Sequence, residues 1–415
     1  MIALGTGEVL AGPSPMGAYR PSGRQVSYAY DSYGRLSEMR LDGKILITAL
    51  DYAPFGTIQG WAWGNAQAYG RSFDANGRLT SFTLGNATRS LVWDASSRLI
   101  GQHDQRLNGQ STVTAATASY DNRDRLTAYA TPSARYGYGY DANTNRSSFT
   151  LNGTPYTLST ASTSNLLTST TGPAPAASYQ YDAAGNPTTD GTHRYVWSAS
   201  GRLIQLSQGS GSSLQSTAYR YNGFAQRVRK IAASANDSRE YAYDEAGHLL
   251  GDYDAQGPAR AEHLWLGDTP LALVATDTSS ASPSSAVYYV FADQIDTPRL
   301  LTDGNGRTVW SWEGEGFGRV QPNENPDGDA QVLTYNLRFP GQLYDKESGL
   351  YYNWHRYYDP ATGRYISSDP IGLAGGVNTY GYVGGGPLAG IEPMGLRDMN
   401  DERSGGGSPP SISLI

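Results

Sequence analysis

The sequence predicts an all-β chain, in which short hairpins lie edge to edge as one curved wall and a segment of distinct composition follows. Three observations carry this. A phrase of fixed order (aromatic, Asp, two variable residues, Gly, Arg, Leu) recurs from Tyr30 to Tyr243. The composition is wrong for several aliphatic cores: of 415 residues, 50 are Gly, 31 Tyr and only 8 Phe, and hydrophobic residues make up 38%. Residues 338–396 are dense in Tyr, Gly, Asp-Pro and Arg, and the composition changes abruptly after them.

The phrase is a hairpin written in residues. Asp suits the first position of a type I turn, and Gly three residues on suits the position where φ turns positive. Together they make a short hairpin loop with a glycine bulge. The aromatic ends the incoming strand and Arg-Leu starts the outgoing one. Alternation along each strand lets Tyr and Leu share a face while Asp and Arg sit at the tip. Tyrosine serves thin sheets well, offering a ring to one side and a hydroxyl to a polar partner.

The fullest copy is Tyr30-Asp31-Ser32-Tyr33-Gly34-Arg35-Leu36, followed by Phe73-Asp74-Ala75-Asn76-Gly77-Arg78-Leu79. Weaker copies begin at Trp93, Tyr120, Tyr140, Tyr181, Trp197, Tyr221 and Tyr243, with fainter ones at Tyr52 and Tyr156. From Tyr30 the aromatic returns at Tyr52, Phe73, Trp93, Tyr120 and Tyr140. A step of roughly this size, about 20 residues, marks a repeat architecture and accommodates two short strands with their connections. Low-complexity runs at 159–178, 207–217 and 276–286 are expected to be flexible hairpin ends. Some 20 hairpins, about 40 strands, would give a ribbon of roughly 190 Å, enough for about one turn of a spiral around a cavity.

From Val287 the register changes, and the Asp303-Gly304-Asn305-Gly306 turn introduces the closing segment. Within that segment stand Arg338-Phe339-Pro340-Gly341-Gln342, Gly349-Leu350-Tyr351-Tyr352-Asn353, Arg356-Tyr357-Tyr358-Asp359-Pro360, Gly363-Arg364-Tyr365-Ile366-Ser367 and Asp369-Pro370-Ile371-Gly372-Leu373. In this order they resemble the repeat-associated core that closes the shell of Rhs proteins. The repeat itself resembles the YD-repeat of the Rhs, insecticidal-toxin C-component and teneurin families. The resemblance implies a cocoon-like partial spiral shell over 28–286, a core domain over 287–396, a lead-in at 1–27 and a short tail at 397–415. It implies encapsulation or presentation of a C-terminal effector in interbacterial or anti-host competition, with a secretion-machinery or immunity partner.

It also implies chemistry. Cores of this kind resemble an aspartic self-protease that cuts the chain after a terminal Asp-Pro-x-Gly-Leu, using two Asp and an Arg. Carried over, these fall on Arg356, Asp369 and position 392, where the residue is Glu392, and the bond cut is Leu396–Arg397. Two close carboxylates share one proton; the ionised one can deprotonate water while the protonated one polarises the carbonyl. The Arg would hold the pair or bind the developing oxyanion. Glu is one methylene longer than Asp, and a misplacement on the order of 1 Å can cost ~100-fold; slow or absent cleavage is therefore expected. Taken without the resemblance, Asp369 and Glu392 read as turn residues before prolines.

Other classes are disfavoured. The net charge of −7 is interspersed, which argues against a basic patch for nucleic acid. Cysteine is absent and the five His are scattered singly, so no cofactor or metal is expected. No stretch approaches the ~20 apolar residues of a membrane span. The N-terminal residues lack the pattern of a signal peptide, so export by a specialised secretion system is expected, from the cell or to its surface. The stretch that follows Leu396 is polar, as an empty or truncated effector slot would be. An alternative function is surface adhesion or carbohydrate binding, in which Trp61, Trp63, Trp310 and Trp312 would be exposed and stack on sugars, although such rings more often serve as strand packing.

Overall fold

The computed structural model describes residues 16–396 and 398, apart from 55, 107–112, 174–175, 256–258 and 278–282. Arg397, most of the lead-in and the remaining tail lie outside the described residues, as does part of the third low-complexity run. The chain divides into two compact units, one up to Phe73 and one from Asp74.

In the first unit, six strands from Met16–Tyr19 to Ala68–Phe73 pair antiparallel, each with the next in sequence. Trp61, Trp63 and Tyr69 are buried together here, with Trp61 stacked on Tyr69 at 4.2 Å between centroids.

The second unit repeats the same rule over a greater length. Strands pair in chain order from Leu79–Leu84 to Ala177–Ser178. A 13-stranded sheet follows from Gln180–Tyr181 to Thr308–Ser311, and a 4-stranded sheet comprises Leu343–Asp345, Leu350–Asn353, Arg356–Asp359 and Arg364–Tyr365. The 13-stranded sheet continues through residue 287 in the strand Ser284–Ala292. The only helices among the described residues are single 3-10 turns.

The hairpin reading of the repeat holds atom by atom. In the first full copy, Gly34 N–H donates to Asp31 O at 3.0 Å and Asp31 N–H to Arg35 O at 2.8 Å. Asp31 Oδ1 accepts the amides of Tyr33 and Arg35, and Oδ2 accepts Arg35 Nε. Gly34 sits at φ +75°, and its counterpart Gly77 at +76°. Where other residues fill that place, as Ser97, Asp124 and Thr144 do, φ is still near +60°.

The aromatic has a second duty that its position in the phrase did not disclose. Tyr52 donates its hydroxyl to Leu36 O, Tyr120 to Leu99 O, Tyr140 to Leu126 O and Tyr221 to Leu203 O, at 2.6–2.8 Å. Trp93 does the same with its indole N–H on Leu79 O. Each of these repeats is thus tied to the carbonyl of the previous copy's Leu, which explains why Tyr and Trp outnumber Phe at this place.

Two expectations need correction. Residues 159–178 are more than a flexible hairpin end: Leu167–Thr171 is a strand, anchored by buried Leu167 and favoured by its β-branched threonines. The strand count among the described residues is 33, below the forty foreseen, because residues 312–342 cross to the core mostly without ladder pairing.

The core of the second unit joins wall to closing segment. Tyr195, Leu206, Tyr219, Leu273, Leu301 and Trp310 of the 13-stranded sheet pack with Tyr335, Phe339, Tyr351, Tyr357, Tyr358 and Tyr365, which follow it. One polar link is wholly buried there: Arg227 of the wall pairs with Asp345, Nη2 to Oδ1 at 2.9 Å.

Candidate functional site

The closing segment turns back on itself so that three stretches meet. The strand Arg356–Asp359 supplies Arg356 at its first residue. The turn after residue 368 supplies Asp369, whose N–H donates to Thr379 O and whose Oδ1 accepts Ile371 N–H at 3.0 Å. The final turn supplies Glu392, closed by Gly395 N–H on Glu392 O.

Arg356 lies at the centre. Its Nη2 is 2.9 Å from Asp369 Oδ2 and 3.3 Å from Glu392 Oε2. The same nitrogen donates to the carbonyl oxygen of Leu396 at 3.0 Å. Nε donates to Gly395 O at 2.5 Å and Nη1 to Thr379 O at 3.1 Å. Below, the guanidinium carbon stands 3.6 Å from the Tyr365 ring centroid. Both carboxylates therefore meet on one nitrogen. All three side chains are buried, none more than 5% exposed.

Burial raises the pKa of both acids. For Asp369, loss of water is the largest influence, opposed by Arg356 and by the Ile371 amide. For Glu392, loss of water again leads, opposed by Arg356 and the Val383 amide. Raised carboxyls beside a carbonyl held by a cation are the ingredients of general acid–base attack by water.

The sequence-predicted residues Arg356, Asp369, Glu392 and Leu396 therefore stand together, while Arg397 lies outside the described residues. Several supports were not foreseen. Val383 N–H donates to Glu392 Oε1 at 2.8 Å from a left-handed backbone, φ +42°, rare for a β-branched residue. Asn353 Nδ2 donates to Glu392 O and to the Tyr365 hydroxyl. Gly341, at φ +78°, lies so close to Pro393 that a Cβ would come within 2.6 Å of Pro393 Cα and C. A Cβ on Gly375 would fall 2.9 Å from both Asp369 Cγ and Leu396 O. Gly341, Asn353 and Tyr365 belong to the quoted motifs; the run Tyr382-Val383-Gly384-Gly385-Gly386 was the available signal for Val383.

The tryptophans that an adhesion role would need exposed are buried. Trp61 and Trp63 pack on each other and on Tyr69, Trp310 on Tyr335, and Trp312 on Phe339. They are strand packing, and their faces are spent on neighbouring rings. Among the described residues no group of three or more His, Cys, Asp or Glu is arranged to hold a metal ion. No helix among them is long and apolar enough to cross a membrane.

Comparison with known proteins agrees with this architecture. Residues 85–374 match the family described as Teneurin YD-shell. YibJ of Escherichia coli (strain K12) is 44% identical over 119 residues, 29% of this chain and 49% of that protein. The toxin protein Tse5 of Pseudomonas aeruginosa is 30% identical over 251 residues, 52% of this chain and 18% of its own length. The chain thus spans less than two thirds of these curated relatives. The crystal structure of TcdB2-TccC3 without its hypervariable C-terminal region superposes with a TM-score of 0.72 at 20% identity, covering 90% of this chain and 20% of that one. It shares the fold.

Proposed function

The chain belongs to the teneurin YD-shell family, and from that premise we propose that it is a shell segment that encloses or presents a C-terminal effector. The setting is a toxin-type protein used in interbacterial or anti-host competition. The observation that supports this most is the ladder of hairpins paired in chain order, ended by a segment whose tyrosines pack against the wall. A wall of this kind has little catalytic surface of its own; what it offers is enclosure. Partners would be the effector and the machinery that exports it, and the protein would work outside the cell or at its surface. The domain limits that go with this reading are a wall over 28–286 and a core over 287–396.

Self-cleavage after Leu396 is the finer part of the proposal. Water would attack the Leu396 carbonyl carbon, losing its proton to the ionised member of the Asp369–Glu392 pair. The oxygen, becoming an oxyanion, would be held by Arg356 Nη2, already 3.0 Å away. The protonated carboxyl would then give its proton to the departing Arg397 nitrogen. Glu392 brings the right kind of acid on a longer arm, so the reaction is expected to be slow or absent in the unaltered chain.

Intact-mass analysis of the purified chain tests the finer part. Loss of the residues after Leu396 is the result expected of an active site, and Asp369→Asn should abolish it. Cleavage that persists in Asp369→Asn would remove the assignment. The shell reading is tested separately, by whether a polypeptide fused after Leu396 gains protection from added protease. Equal digestion of the fused and free polypeptide would refute it.

A further inference from the structure

Two buried guanidinium groups of the second unit line one small cavity, and among the described residues neither is paired with a carboxylate. Arg146 stands on the wall at the start of the strand Arg146–Leu151. Arg364 stands on the closing segment. Arg146 is 4% exposed, and its Nε and Nη2 have no hydrogen-bond partner. It lies over the Phe317 ring at 3.9 Å and the Tyr138 ring at 5.0 Å. Arg364 is 6% exposed; it donates to Asn145 Oδ1 at 3.3 Å and to Asn165 O, and lies 4.9 Å over Tyr380. Every one of these partners is neutral.

Two buried positive charges on one small cavity are costly. Ring faces and amide oxygens return only part of the lost hydration, and a guanidinium does not deprotonate to escape. Loss of water pulls the Arg364 pKa down, opposed by Tyr181, Tyr380, Tyr179 and, without a hydrogen bond or ion pair, Asp359. The other buried arginines of the wall are handled differently: Arg89 has Asp104 and Glu313, and Arg227 has Asp345.

The cavity, about 20 Å³, is lined by Arg146 and Arg364 together with Tyr140, Thr144, Phe317 and Asn378. As space open to the centre of a water-sized sphere, that is room for one water molecule or one monatomic ion somewhat larger. A sulfate or phosphate is too large, and a cation is repelled. We propose that this cavity binds a single small inorganic anion, chloride under ordinary conditions, which joins the wall to the closing segment by bridging Arg146 and Arg364. The ion would serve both cations with charge-assisted contacts from one point. Docking of the closing segment onto this part of the wall would then depend on halide.

Bromide replaces chloride and scatters anomalously, so crystals of the whole unaltered chain soaked in sodium bromide give a direct test. The result expected is an anomalous peak in the cavity, within contact distance of nitrogens of both arginines. A cavity holding only water, or bromide bound solely at the surface, overturns the proposal. In solution, replacing isethionate by chloride at constant ionic strength should raise the midpoint of thermal unfolding by about 2 °C. Arg146→Met should remove that rise, and an equal rise in both proteins overturns the assignment. Should Arg146→Met fail to fold, the bromide measurement on the unaltered chain still decides.

Discussion

Arg356 and Leu396 are joined by a hydrogen bond of 3.0 Å from Nη2 to the carbonyl oxygen, across forty residues of chain. The carbonyl that the resemblance marks for cleavage is thereby the one the buried cation holds. Asp369 and Glu392 share that nitrogen.

Glu392→Asp is expected to speed loss of the tail by on the order of 100-fold, if the extra methylene is what misplaces the carboxylate. Timed intact-mass measurements on both proteins check this. A slower Asp variant would mean that the Val383 amide, 2.8 Å from Glu392 Oε1, has fitted the site to glutamate.

Gly341→Ala should damage the site through Pro393. Gly349 supplies the control, since it too has a positive φ, +71°, but nothing within 4 Å of an added Cβ. Backbone strain alone should cost Gly349→Ala about 1 kcal/mol. Gly341→Ala adds the clash with Pro393 and should cost about 2 kcal/mol or more. Urea unfolding measures both, and equal losses would contradict the contact.

Asp345→Asn leaves the Arg227 guanidinium buried without its counter-charge. A loss of about 3–5 kcal/mol is expected, by the same urea measurement. The double replacement Arg227→Met with Asp345→Leu should recover much of that loss, because it removes the buried charge along with the pair. A double variant as unstable as the single one would show that the ring contacts of Arg227, such as that with Tyr352 at 4.3 Å, matter more than its charge.

His248 occupies the place that Arg takes in the fuller repeats. Burial pulls its pKa down, but hydrogen bonds to Asp244 and Asp268 outweigh this, and the group is pushed up to about 9. A folded pKa raised above the unfolded 6.5 gives stability that is fully present below pH 6.5 and lost as pH rises to about 9. Because Asp268 is largely exposed, the contribution is on the order of 2 kcal/mol. The stability gap between the unaltered chain and His248→Gln should therefore narrow from pH 6.5 to 9, read by urea unfolding at each pH. A gap that stays constant would rule out the ion pairs.

How far the residues could be read depends on the distance over which each one acts. Asp31, Gly34 and Arg35 complete their hydrogen bonds within the turn itself, so turn chemistry alone foretold the hairpin, and repetition foretold the ladder. Arg356, Asp369 and Glu392 were found through resemblance; taken singly, the two acids look like ordinary turn residues before proline. The tryptophans could be read two ways, because an aromatic ring reads the same whether it faces solvent or another ring; the commoner role, strand packing, is the one they have.

Local turn preference and its regular recurrence were thus enough to establish an all-β hairpin repeat, while the closing segment was legible through its composition and its resemblance to known cores. Folding alone could bring residues 356, 369, 392 and 396 around one nitrogen, seat Gly341 on Pro393, and leave Arg146 and Arg364 in a common cavity. Those arrangements arise when segments distant in sequence pack, and packing depends on shape and burial in three dimensions, which no short stretch of chain encodes.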